Sequence, residues 1–347
     1  MNANVMAINN PELRTFSWLL KREYWESRGG FLRAPFIIAT VILSMFVLMM
    51  IIAEVTATRH GVNIGGLNLE QVINKIGPDA AATVANGLDT GLLVMCAPIV
   101  IGMTFVVFFY LLGALYDDRK DRSVLFFKSL PVSDTTTVLS KLFSALIIAP
   151  VIAVGACIAL NIAFLLVMTV YALLHGVNAI LLLWHPLHLL ALWIKLLALI
   201  PINALWALPT AGWLLLCSSY VRSKPFLFAV VLPILAGVAI GTINLMQALA
   251  LPSTTYWRYV FYRILGGLWP GSWLSSTLSA NPVSLDKVGD VSTALGMAKF
   301  DFVNGVLSYE RMGMALMSPE LWIGVIAGAG MIAAAIYFRR ERTDSYN

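Results

Sequence analysis

Charge is scarce in this chain. Acidic and basic residues together make up 12% of its 347 residues, against about 25% in a soluble domain. That share is too small to cover a water-facing surface of this size, and hydrophobic residues reach 59%. Cysteine is scarce too: the three present, Cys96, Cys157 and Cys217, all lie in apolar runs without CxxC spacing. This excludes a disulfide framework and a zinc ribbon, leaving them as small buried thiols. The chain also lacks GxxxxGK(S/T), HExxH and GxSxG, so no nucleotide-hydrolysing, zinc-peptidase or serine-hydrolase motif is present. No cleavable signal is expected: the first apolar run begins near Ala34, behind a charged segment too long for an n-region, and is expected to be a permanent helix.

What is present is a series of long apolar runs. A spanning helix needs about 20 mostly apolar residues, and six runs meet or approach this: Ala34–Ala53, Gly91–Tyr116, Leu142–Leu173, Leu189–Cys217, Phe226–Leu251 and Leu321–Phe338. The fold expected is an all-α membrane protein of six spans forming a single domain over residues 1–347. The third and fourth runs exceed the hydrocarbon thickness and are expected to tilt or project into water. The fourth carries Pro201 and Pro209, which remove backbone donors and kink a helix.

The greater share of the 23 Lys and Arg falls in short segments on one side of these runs. They include Arg14, Lys21, Arg22, Arg28, Arg33, Arg119, Lys120, Lys141, Arg222, Lys224, Arg339 and Arg340. The positive-inside rule therefore expects both termini in the cytoplasm, with residues 54–90 and 252–320 as outer loops. Because the net charge of +5 is spread among loops, with no dominant basic run, it marks topology and not nucleic acid. Within the cytoplasmic region 1–33, Pro11–Glu26 reads as an amphipathic helix: Leu13, Phe16, Leu20 and Tyr24 recur at spacings of three and four. It is expected to lie along the inner surface and bend into the first span near Gly29-Gly30. The aromatics Tyr256, Trp257, Tyr259, Phe261, Tyr262, Trp269 and Trp273 mark the second outer loop as one that re-enters the membrane or lies flat upon it. A short helix is expected around Leu69–Ile76. Gly237–Gly241 and Gly324–Gly328 are small-xxx-small pairs suited to close helix contact within the bundle or in a dimer.

Few residues suggest chemistry. Asp117, Asp118 and Asp121 form DDxxD, and carboxylates at this spacing on one helical face hold magnesium against a diphosphate in membrane prenyltransferases. Such an enzyme needs a second acidic cluster facing the first, and Asp286 with Asp290, the remaining candidate, falls on the expected outer side. His185 and His188 have a metal-compatible spacing, but Pro186 intervenes and no carboxylate is near, so they read as interfacial histidines. Lys195, inside an apolar run, is close enough to its outer end to snorkel. Asn161, Asn203, Asn244 and Gln247 are polar groups within the runs; they either line a translocation path or hydrogen-bond between helices.

The most informative stretch is 117–141, the expected cytoplasmic segment between spans two and three. Val124, Leu125, Phe126, Phe127 and Leu130 sit there among Arg122, Lys128 and the aspartates. A plain connector needs neither that length nor those aromatics. Phe126, Phe127 and Leu130 offer apolar anchors, Arg122 and Lys128 offer orienting charge, Pro131 halts a helix, and Ser133 or Asp134 can cap the next. With its surface helix, six spans, cytoplasmic amphipathic insert and large outer segment before span six, the layout resembles the membrane subunits of ATP-binding-cassette exporters of the type-2 permease class. The string YDDRKDRSVLFFKSLPVSDTTTVLSKL, from Tyr116, is similar to the bacterial permease pattern that follows the second span. The resemblance implies that Pro11–Glu26 is an elbow helix and that 121–130 contains a coupling helix seated on a separate ATPase. It also implies two permeases, expected to be a homodimer, with two ATPases in the bacterial inner membrane. ATP and magnesium would belong to the ATPase and no cofactor to this chain. The alternatives are the prenyltransferase-like enzyme and a non-transporting membrane anchor for an ATPase. A lipid, a hydrophobic drug-like compound or an antimicrobial peptide would each suit an apolar bundle as cargo.

Overall fold

The structure is a computed structural model that describes residues 11–60, 78–121, 132–176, 184, 188–242, 256–280 and 302–344. Among these residues there are helices and turns and no strand. Helix α1 is Pro11–Glu26. It leads through a short gap into α2, Gly29–Arg59, whose first turn is π-helical. Then come α3, Pro78–Lys120; α4, Asp134–Leu174; α5, Leu189–Tyr220; and α6, Leu227–Thr242. Beyond α6 lie α7, residues 256–265; α8, Leu274–Ala280; α9, Phe302–Gly305; α10, Tyr309–Met317; and α11, Pro319–Asp344.

Five helices (α2, α3, α4, α5 and α11) are long and apolar enough to cross a membrane. The chain is thus an all-helical, multi-pass membrane protein. The fifth expected span is represented by α6, whose 16 residues fall short of the usual crossing length; residues 243–251 of that run lie outside the described residues.

The helices overrun the apolar stretches that predicted them. Helix α3 begins at Pro78, thirteen residues before the expected start at Gly91, so part of the expected outer loop 54–90 is helical. Its 43 residues extend about 65 Å, twice the ~30 Å hydrocarbon layer. The sequence pattern identified the apolar stretch and missed the polar turns that continue the helix beyond it. Helix α4 likewise begins at Asp134, where the Ser133 hydroxyl accepts the Thr136 amide at 3.1 Å, the cap its sequence calls for. The expected helix at Leu69–Ile76 lies outside the described residues.

Helices α3, α4, α5 and α11 enclose the main core. Small residues on α4 and α5 (Ala145, Ala149, Ala156, Ala211) let the backbones approach, while Ile99, Leu111, Leu214 and Leu215 fill the space between. Of the window that carries α2 across the membrane, 6% is buried. Ile37, Val41, Met45, Leu48 and Ile52 all face outward, a composition that lipid stabilises and water would not. Gly237 lies against α7: a Cβ there would stand 2.6 Å from Tyr256 and 2.8 Å from Trp257. The Tyr256 hydroxyl donates to the Pro233 carbonyl at 2.7 Å. Part of the aromatic segment after α6 therefore packs into the bundle, and Trp273, fully buried beside Trp206 and Leu321, forms a second core at that end.

Candidate functional site

Three carboxylates and three cations meet where α1, α3, α4 and α11 converge. Glu23 on α1 is 1% exposed, although it follows the apolar stripe of an amphipathic helix. Its Oε2 accepts the Tyr110 hydroxyl at 2.7 Å, its Oε1 lies 3.3 Å from Lys141 Nζ, and Arg22 also contacts it. Lys141 in turn lies 3.3 Å from Asp118 Oδ1. Asp118 Oδ2 is 3.5 Å from Arg339 Nη1, and Arg339 Nε donates to Asp134 Oδ1 at 3.0 Å. The members' charges balance, as burial at 1–7% for Glu23, Lys141, Arg339 and Asp118 demands.

A buried ion pair gains little net stability over a packed apolar pair, because desolvation cancels most of the Coulomb attraction. What it fixes strongly is register, since any slip strands a charge. Here the register concerns the end of α3 and the start of α4. Asp118 stands one turn before the chain leaves α3, and Asp134 opens α4 on the return. One guanidinium, that of Arg339, binds both. Nearby, Arg119 donates to the carbonyls of Ser218 and Val221, the latter at 2.9 Å, tying the same end of α3 to α5. Phe16 meets Phe143 edge-on at 6.0 Å and holds α1 against the first turns of α4.

The expected site residues are distributed unevenly. Arg122, Val124, Leu125, Phe126, Phe127, Lys128, Leu130 and Pro131 all lie outside the described residues, as do Asn244, Gln247, Asp286 and Asp290. The DDxxD residues do not share one face as the spacing suggested: Asp117 and Asp121 are exposed, whereas Asp118 turns inward onto two cations. Asn161 is fully buried in the main core, where its Oδ1 accepts the Cys96 thiol at 3.7 Å. Its Nδ2 has no acceptor among the described residues. Asn203 is half-buried on α5, and no hydrogen bond joins it to Asn161. Lys195 does not snorkel. It is buried and donates to the Val303 carbonyl at 3.1 Å, because α9 and α10 fold over the part of α5 that the sequence left facing water.

Two histidines mark the end of the bundle away from the ion cluster. His188 Nδ1 lies 3.2 Å from Asp89 on α3. His175, just past α4, has Nδ1 2.9 Å from the Tyr171 carbonyl and Nε2 3.3 Å from Glu54 on α2. The Tyr171 carbonyl and then Glu54 raise its pKa above the ordinary histidine value. Among the described residues no three His, Cys, Asp or Glu side chains converge to hold a metal ion.

Glu23 and Arg339 were not singled out from the sequence as site residues. Glu23 had one legible signal, a carboxylate on the apolar side of an amphipathic helix. Arg339 had none, since a basic residue at the end of a span ordinarily marks topology. No protein-family model, curated protein or solved structure matches the chain.

Proposed function

We propose that this chain is the permease subunit of an ATP-binding-cassette exporter in the bacterial inner membrane, working as a homodimer with two copies of a separate ATPase. Both termini are cytoplasmic in this reading, Pro11–Glu26 is the elbow helix, and 121–130 is the coupling helix. ATP and magnesium act on the ATPase. The observation that supports it best is the common attachment of Asp118 and Asp134 to Arg339. A push on the segment between those two aspartates reaches α3 and α4 together. Arg339 passes it to α11, and Lys141 and Glu23 pass it to α1. A solvated connector would have no use for such a clamp, whereas a lever that turns ATPase closure into helix movement needs one.

Affinity purification in mild detergent tests the proposal. A stoichiometric soluble protein with a Walker A motif is expected to co-elute. The double variant Phe126→Ala, Phe127→Ala is expected to insert normally and lose that partner. Undiminished co-elution from the double variant would remove the coupling assignment. Cargo-independent ATPase activity with no transport in sealed vesicles would favour the anchor alternative.

A further inference from the structure

A cavity of about 540 Å³ lies between α5, α7, α8 and α11, at the end of α11 opposite the ion cluster. Its size is that of a small-molecule site. One wall is cationic. Arg263 stacks on the Trp206 ring with its guanidinium carbon 3.8 Å from the centroid. It donates to the Trp206 carbonyl at 3.3 Å and the Glu320 carbonyl at 3.1 Å. Two of its five donors are therefore committed to backbone, and among the described residues no carboxylate lies within ion-pair distance of it. Gly324 makes room for this placement: a Cβ there would stand 2.0 Å from Arg263 Nη2. Arg258 lines the same cavity, and Glu320 is its one acidic lining residue. Trp206, also in the lining, is 1% exposed, and its indole N–H has no acceptor among the described residues.

The other wall is apolar and faces outward. Ile323 and Ala327 line the cavity and are exposed, continuous with Trp322 and Ile326 on the membrane side of α11. A half-buried guanidinium with no carboxylate at ion-pair distance among the described residues, on a cavity wall, asks for an anionic acceptor. The apolar wall, open toward the acyl chains, asks for hydrocarbon. A free inorganic anion satisfies only the first demand and a neutral lipid only the second.

We propose that this cavity binds an anionic amphiphile entering laterally from the bilayer, its phosphate or carboxylate head on Arg263, on the wall that Arg258 also lines, and its chains along Ile323 and Ala327. The assignment concerns binding alone and does not depend on the transport reading.

The test uses the full chain in mixed micelles with equimolar phosphatidylglycerol and phosphatidylcholine of identical acyl chains, followed by native mass spectrometry. Phosphatidylglycerol is expected to be retained in preference, one molecule per chain. Arg263→Gln is expected to weaken that retention about tenfold or more, the effect of losing a charge-assisted contact. Because Arg263 also braces backbone, Ala327→Trp serves as the second variant: it fills the cavity from an exposed position and is expected to abolish retention at unchanged melting temperature. Equal retention of the two lipids, or undiminished phosphatidylglycerol on folded Ala327→Trp protein, would overturn the proposal. Millimolar inorganic phosphate is expected not to compete; displacement of the lipid by phosphate alone would make this a free-anion site and equally overturn it.

Discussion

Gly212 and Gly328 face each other so closely that a Cβ on Gly212 would stand 2.7 Å from the Gly328 carbonyl oxygen. A Cβ on Gly328 would meet the Leu208 carbonyl group at the same distance. The obstacle in each case is backbone, which cannot rotate aside, so α5 and α11 must move apart to admit even a methyl group. Gly212→Ala and Gly328→Ala are each expected to cost about 1–3 kcal/mol by overpacking. Gly155 and Gly330 have nothing within 4 Å of a Cβ, and Ala at either is expected to be neutral or mildly stabilising. Thermal unfolding of the four variants in one detergent decides it; equal losses at all four would refute the contact.

Arg339→Gln is expected to destabilise the protein by about 3–5 kcal/mol, the range for removing one partner of a buried ion network. The loss arises from the carboxylates left behind, so adding Asp118→Asn should recover part of it, a coupling that a double-mutant cycle measures. A single variant that melts with the wild type would show that water already reaches the cluster.

His175 gives the chain a pH-dependent contact. Its folded pKa is raised, first by the Tyr171 carbonyl and then by Glu54, so protonation favours the folded state. That contribution is complete below the unfolded value of ~6.5 and is lost as pH rises through the higher folded value. In histidine-labelled protein the His175 resonance is expected to titrate above ~6.5, and Glu54→Gln should lower the midpoint without restoring it fully. A midpoint at or below the ordinary value would contradict the geometry.

Single cysteines report topology. Ser129→Cys is expected to react with a membrane-impermeant thiol reagent from the inner side alone, and Ser284→Cys from the outer side alone. Labelling of both from one side would reverse the case against a facing pair of acidic clusters, and with it the argument for a permease.

How much of this was legible in the sequence depended on the range of the interaction. Helix α1 has the limits its apolar stripe predicted, and Ser133 caps α4 as its residue type and position allowed, because both depend on neighbours a few residues away. Lys141 and Glu23 are 118 residues apart, and Arg339 and Asp134 are 205 apart. No periodicity encodes those meetings. Lys195 was misread for the same reason: snorkelling is the local expectation, and only the distant Val303 makes an inward path favourable. The glycine pairs were visible as a pattern, but their partners were not: Gly237 receives two aromatic rings, Gly324 lies against Arg263 and Pro209, and Gly328 meets α5.

The order of the ion cluster along the chain has a consequence for biosynthesis. Glu23, Asp118, Asp134 and Lys141 are all translated long before Arg339. Until α11 inserts, both Asp134 and Asp118 lack the guanidinium that joins them. A nascent bundle therefore holds an excess of carboxylate at its base, which draws in water and keeps the helices loosely associated. Arrival of Arg339 neutralises that excess and closes the assembly.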